Sequence, residues 1–195
     1  MRLLIAGNWK MHGLAPQLGE IEAIAASAEG VPPFADILIC LPATLIARAV
    51  QTAAGRIAIG GEDCSAEVSG AFTGDISAEM LKGAGAAAVI VGHSERRQHH
   101  DETDAIVAAK ANAARRAGLL AIICIGETKS QRRDGKALSV CGGQIAGSVP
   151  EGHDRVRRRD RLRAAVGDWF RAHADLGADR GNARAYPPVP RGAPC

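Results

Sequence analysis

Through residues 1 to 152 this chain alternates short runs of almost continuous apolar residues with longer stretches of helical period, and that alternation is what most constrains its fold. The apolar runs are Leu3 to Gly7, Asp36 to Cys40, Arg56 to Gly60, Ala87 to Val91 and Leu120 to Ile125. A half-exposed strand would alternate polar with apolar positions; these do not, so they read as strands buried on both faces, as in parallel sheets. Between them Leu18 to Ala28, Ala43 to Ala53, Ala78 to Lys82, Asp104 to Ala117 and Lys136 to Ala146 read as helices. Gly118, preceded by Arg115 and Arg116, is a helix stop signal. The chain is therefore α/β, built of βαβ units.

Five units of roughly 30 residues suit either a doubly wound sheet or most of an eight-stranded barrel of about 250 residues. No GxGxxG follows the first run and no Walker motif occurs, which removes the main support for a dinucleotide or P-loop fold. The 195 residues, 47% hydrophobic, suffice for a sizeable core. The apolar run after Met1 is too short for a signal peptide, and no segment has the length of a membrane span. Cys40, Cys64, Cys124, Cys141 and Cys195 form no CxxC pair, so a reducing cytoplasm without disulfides is expected.

Charge divides the chain unevenly. Residues 1 to 152 carry 14 Lys+Arg against 16 Asp+Glu, whereas residues 153 to 195 carry 10 against 5, and all ten cations are arginine. Such a break in composition marks a boundary, with a domain over 1–152 and an arginine-rich tail over 153–195.

Polar groups leave two of the strands at their carboxyl ends, where α/β enzymes keep their chemistry. Asn8-Trp9-Lys10 follows the first strand and Gly92-His93-Ser94-Glu95-Arg96-Arg97 the fourth. Two such strand ends suggest one shared site. Taken alone, His93 reads as a satisfied polar group and Lys10 as a solvated lysine.

The longer motifs change that reading. Ala6-Gly7-Asn8-Trp9-Lys10-Met11, Gly70-Ala71-Phe72-Thr73-Gly74, Val91 to Arg97 and Cys124-Ile125-Gly126-Glu127-Thr128 together resemble the triosephosphate isomerase family, in order and spacing. The resemblance covers residues 1 to about 152. It implies an incomplete (β/α)8 barrel of about five β/α units, and interconversion of dihydroxyacetone phosphate and glyceraldehyde 3-phosphate in glycolysis and gluconeogenesis. That reaction needs a base, an electrophile for the enediolate oxygen and a grip on the phosphate. The resemblance assigns the electrophile to His93, the substrate-binding cation to Lys10, hydrogen bonds to substrate oxygens to Asn8, and the lysine's partner to Glu95. It makes Arg96 and Arg97 structural ion-pair formers and implies no cofactor or metal. Glu127 is not the base, because the family's base comes from the sixth strand.

His99 and His100 before Asp101, Glu102 and Asp104 superficially suggest a metal site; a solvated helix start, its acids offsetting the helix dipole, is the expectation instead. Ser65 to Ser77 reads as a surface loop. By resemblance its Gly70, Phe72, Thr73 and Gly74 form the arm that reaches beside a partner subunit's active site, implying a homodimer.

After Gly152 the family's sixth strand, Tyr-Glu-Pro-x-Trp motif, lid and phosphate loops are not found. A lysine-free, arginine-rich, proline-ended stretch is what GC-rich coding DNA yields in the wrong frame. Starting one base later in each codon permits Ile under Asp160, Ala under Arg161, Tyr under Leu162, Glu under Arg163, Pro under Ala164, Trp under Val166 and Gly under Trp169. The tail is thus expected to be out of frame, poorly ordered and without convincing sixth-strand pairing, and the chain as written inactive. The rival readings are a non-enzymatic protein whose arginine tail binds RNA or another polyanion, and a doubly wound phosphosugar-binding domain with the first strand central.

Overall fold

The structure, a computed structural model, describes residues 3–30 and 35–150, and the backbone of residues 162–166. In chain order these are β1 (Leu3–Asn8), α1 (Leu18–Ser27), β2 (Ala35–Leu41), α2 (Ala43–Ala53), β3 (Ala58–Gly61), α3 (Ala78–Gly83), β4 (Ala88–Val91), α4 (Ser94–His99), α5 (Asp104–Arg116), β5 (Leu120–Ile125), α6 (Lys129–Arg133), α7 (Ala137–Ser148) and β6 (Leu162–Val166).

Every strand pairs parallel with its neighbour in sequence, giving one sheet in the order β1-β2-β3-β4-β5-β6. A doubly wound sheet would reverse at a switch point and place β1 centrally. Here β1 is at the rim, so that reading is excluded and the sheet curls as part of a barrel wall.

The two-residue side-chain period divides the strands between two cores. Leu38, Cys40, Ala88, Ile90, Ile122 and Cys124 line the concave face, with Leu4, Ala58 and Leu120 packed against them. Ile39, Leu41, Ile59, Val89, Val91 and Ile123 face the helices, meeting Ile21, Ile46, Leu81 and Val107. Burial on both faces explains the lack of alternation in the sequence. Gly60 is required by this wall, because a Cβ there would lie 2.8 Å from Cys40 Sγ and 3.0 Å from the Ala88 carbonyl oxygen.

Local signals set the helix ends. Thr103 accepts a hydrogen bond from the Ile106 N–H at 3.3 Å to cap α5, and Ser77 accepts from the Met80 N–H at 3.2 Å to cap α3. The structure adds α4 and α6, short helices of six and five residues whose lengths are too small for a periodic pattern to register.

Two expectations are corrected. Leu162–Val166 pairs with β5 from Ala121↔Leu162 to Ile125↔Val166, so a sixth strand does form within the tail. The ladder is made by backbone groups, and the open edge of β5 presents a row of them to any extended neighbour. The acidic helix start is corrected at Glu102, which is buried rather than solvated; Asp104 does open α5 in its first turn, paired with Arg97 as described below. The remainder of the tail, including Trp169, Phe170 and Cys195 and with it the expectation of poor order, lies outside the described residues.

Candidate active site

The polar residues that leave β1, β3 and β4 converge on a cavity of about 730 Å³, lined by Asn8, Lys10, Glu62, His93 and Glu95 among others. The β1 ladder continues one step, Trp9 N–H donating to the Cys40 carbonyl at 3.0 Å. The chain then turns sharply. Lys10 takes a left-handed conformation, φ 57°, and its N–H donates to Asn8 Oδ1 at 2.9 Å. A non-glycine residue in that region is strained, and such strain concentrates at functional sites.

On the facing side, Gly92 makes the turn out of β4 at φ 67°, where a Cβ would lie 2.7 Å from Val107. His93 follows as the N-cap of α4. Its Nδ1 accepts from the Glu95 N–H at 3.3 Å and lies 3.5 Å from Glu95 Oε2. Glu95, in the first turn of α4, receives the Lys10 ammonium at 2.5 Å. The structure thus brings Asn8, Lys10, His93 and Glu95 together across 85 residues of sequence separation.

Beside these residues lies a partly buried ion cluster, of which Asp63, Arg96 and Lys110 line the same cavity. Lys110 Nζ donates to both oxygens of Asp63 at 2.8 Å and to Glu102 at 2.5 Å, while Arg96 reaches Glu102 at 2.6 Å and Asp63 at 2.9 Å. Burial acts to raise the Glu102 pKa, but the hydrogen bonds from Lys110 and Arg96 outweigh it and hold the carboxyl below its usual range. At Asp63 burial prevails over the same lysine and the pKa is raised. Arg97 donates to the Gly92 carbonyl at 2.9 Å, Asp104 at 2.6 Å and Ser148 at 2.9 Å, tying the β4–α4 turn to α5 and α7. Both arginines therefore form ion pairs with carboxylates.

Sequence reasoning missed Glu62. It follows β3 as Asn8 ends β1 and His93 follows β4, so the strand-end rule applied to β3 would have found it. Its Oε1 is buried without a hydrogen-bond partner among the described residues. Burial pushes its pKa up to about 7; the Lys10 N–H opposes the rise and the Glu95 charge adds to it.

The loop from Ser65 to Ser77 is closed at its base by the Ser65 N–H, which donates to the Ile76 carbonyl at 2.8 Å. Gly70, Phe72, Thr73 and Gly74 are all exposed on it, with Val68 and Ile76 exposed beside them. Glu127 is held by Arg132 Nε at 2.6 Å. Hydrogen bonds from its own backbone and from Arg132 keep its pKa low, which suits a structural anion rather than a base. Cys40, Cys64, Cys124 and Cys141 are free thiols, with burial pushing Cys40 and Cys64 up to about 12. Among the described residues no group of three or more His, Cys, Asp or Glu could hold a metal ion, and no helix is long and apolar enough to cross a membrane.

This arrangement gathers an ammonium, a carboxylate and an imidazole on one cavity. The family model for triosephosphate isomerase matches residues 3–158. The chain is 61% identical over 153 residues to the triosephosphate isomerase of Afipia carboxidovorans, covering 78% of this chain and 61% of that one. It is 58% identical over 157 residues to that of Ruegeria pomeroyi, covering 80% and 62%. A crystal structure of triosephosphate isomerase from Bartonella henselae superimposes with a TM-score of 0.77 at 48% identity, covering 85% of this chain and 67% of that one. The chain spans about three fifths of the length of these curated relatives. It belongs to the triosephosphate isomerase family, and its sheet is a partial (β/α)8 barrel.

Proposed function

We propose that this chain carries the binding and electrophilic half of a triose phosphate isomerase site. The observation that supports it most is the joining of Lys10 to Glu95 at 2.5 Å beside a His93 whose Nδ1 is occupied by a backbone N–H. In this reading the Lys10 ammonium attracts the anionic substrate, and Asn8 hydrogen-bonds its oxygens. A base removes a proton from the carbon next to the carbonyl, and His93 Nε2–H stabilises the resulting enediolate oxygen. A neutral imidazole is the better partner for this step, since its N–H can be shared without trapping a fully charged intermediate. Glu95 is a positioning residue that aims Lys10. The exposed 65–77 loop suits a homodimer, its apolar side chains docking against a second copy, and the cytoplasm is the compartment this reading implies.

The same reading makes the 195-residue chain inactive by itself. Glu127 is committed to Arg132, and the 195 residues include no Tyr-Glu-Pro-x-Trp motif to supply a base. Residues after 152 are, on this reading, translated out of frame; the nucleotide sequence around codon 152 tests that directly.

Solvent-proton exchange into dihydroxyacetone phosphate tests the chemistry. The purified chain should bind the substrate weakly, lose binding on Lys10→Ala, and show no exchange above background whether or not His93 is changed to Gln. Clear turnover abolished by His93→Gln would overturn the claim of inactivity. Substrate binding unaffected by Lys10→Ala would overturn the site assignment.

A further inference from the structure

The cavity that holds Asn8, Lys10 and His93 is not cationic, although the ligand proposed for it is an anion. Three cations line it, Lys10, Arg96 and Lys110, against four carboxylates, Glu62, Asp63, Asp75 and Glu95. Glu102, paired with both Arg96 and Lys110, adds a fifth negative charge. With every carboxylate ionised, negative charge exceeds positive by two. A phosphate dianion entering that setting meets net repulsion, screened least where water is excluded.

The carboxylates are not equivalent. Glu95 has Lys10, and Asp63 accepts from Lys110 through both oxygens and pairs with Arg96. Asp75 is exposed, where solvent screens it. Of the four, only Glu62 has a buried oxygen, Oε1, without a hydrogen-bond partner among the described residues. A proton there removes one negative charge from the cavity wall and gives the carboxyl an O–H to donate. Burial pushes this group up to about 7, so its proton exchanges at neutral pH.

The groups around Glu62 leave it as the acid that responds. The turn after β1 meets it with Lys10, whose N–H acts to lower its pKa, and α4 with Glu95, whose charge acts to raise it. The Cys40 thiol of β2 is pushed up by burial to about 12 and stays neutral. Asp63 is raised by burial as well, but Lys110 of α5 and Arg96 of α4 hold its charge. Histidine is the other side chain that ordinarily changes charge near neutral pH. His93, His99 and His100 line the same cavity, so a test must separate them from Glu62.

We propose that anion binding in this cavity is coupled to proton uptake at Glu62: a dianion, the phosphate group of the triose substrate, enters beside Lys10 as one solvent proton adds to the Glu62 carboxylate. The proton stays on Glu62 and returns to solvent when the anion leaves. The inference rests on the reading of Lys10 as the anion-binding group. Linkage fixes the sign, since an anion that favours the protonated form binds more tightly below about pH 7 and more weakly above it.

Sulfate is the probe, because it remains a dianion across this range and any pH dependence then belongs to the protein. At constant ionic strength the 195-residue chain should bind sulfate at least about fivefold more tightly at about pH 6 than at about pH 8, and dihydroxyacetone phosphate should displace it. Glu62→Gln keeps the side-chain shape and should reduce that dependence to less than about twofold. The double variant His99→Gln/His100→Gln should keep the full dependence. A fall retained in Glu62→Gln, or lost with the two histidines, would overturn the proposal, as would no sulfate binding at either pH. Carbon-13 shifts of the glutamate carboxyls give a second readout on the unaltered chain: one midpoint near neutral pH should move upward by at least about 0.5 pH in saturating sulfate. A midpoint unmoved by sulfate counts equally against it. Lys10→Ala separates the two readings. Sulfate binding that survives this change overturns the assignment of Lys10, whereas binding that needs Lys10 but ignores pH overturns the proton coupling alone.

Discussion

Two charged clusters sit side by side at the carboxyl end of the sheet, and they differ in how many elements they join. Around Lys110, Asp63, Glu102 and Arg96 close a ring of contacts between 2.5 and 2.9 Å, with Glu102 Oε2 buried and without a hydrogen-bond partner among the described residues. Lys10 meets Glu95 from a left-handed backbone, and Glu62 Oε1 beside it is likewise buried without a partner. Asp63, Arg96 and Lys110 line the same cavity as Lys10, Glu62 and Glu95. The ring ties the end of β3 to α4 and α5, whereas the Lys10–Glu95 pair joins the end of β1 to α4 alone. Neither burial nor complete pairing separates the two clusters; the number of elements each one ties together does.

Breaking the ring should give the largest effect. Glu102→Ala leaves Lys110 and Arg96 with reduced compensation in a buried setting and should cost about 3–5 kcal/mol of stability, read as a drop in denaturant midpoint. A loss under 1 kcal/mol would mean the ring is solvated, and the contrast between the clusters would fail.

The turn that delivers His93 is the next test. Gly92→Ala places a Cβ against Val107 in a backbone region that disfavours side chains, at a cost of roughly 2–3 kcal/mol. If the loss is that large while the Leu120–Ile125 amides stay protected from exchange, strain is confined to the site side of the sheet.

Glu62 gives a smaller effect of opposite sign. Its folded pKa of about 7 lies above the 4.5 of an ordinary glutamate carboxyl, so the folded state holds the proton more tightly. The linked stability is fully present below about pH 4.5 and is lost as pH rises to about 7, above which the loss is complete. Glu62→Gln should therefore remove this fall and raise stability at pH 8 by about 1–2 kcal/mol, the full shift being discounted because the group is only half-buried. Identical pH profiles for the two proteins would place Glu62 among satisfied groups. Smallest of all, Lys10→Ala should change stability by less than about 1 kcal/mol, because its pairing is partly exposed and the strained residue is relieved little. A loss as large as that at Glu102 would erase the distinction.

Much of this arrangement could be read from the residues. The strands were legible because burial on both faces suppresses alternation, and the convergence of Asn8, Lys10, His93 and Glu95 was legible because consecutive parallel strands present their carboxyl ends on one side. Other features had no local signature. Glu102 and Asp104 look like a helix-capping acid cluster in sequence; their partners Arg96, Arg97 and Lys110 lie six to eight residues away on α4 and α5, and the relative placement of those two helices decides which pairs form. Glu62 resembles any polar residue after a strand until its oxygen is found buried. The pairing of Leu162–Val166 depends on the free edge of β5, a property of the sheet and not of that segment.

Sequence by itself determined the βαβ order, the strand ends whose polar groups meet at one cavity and the family to which the chain belongs, because these follow from apolar periodicity and contiguous motifs. Tertiary structure alone decided which charges are paired with which, and which carboxylate has its pKa pushed up to about 7. Those outcomes depend on desolvation and on distances between groups far apart in the chain, and neither is encoded in any local stretch of residues.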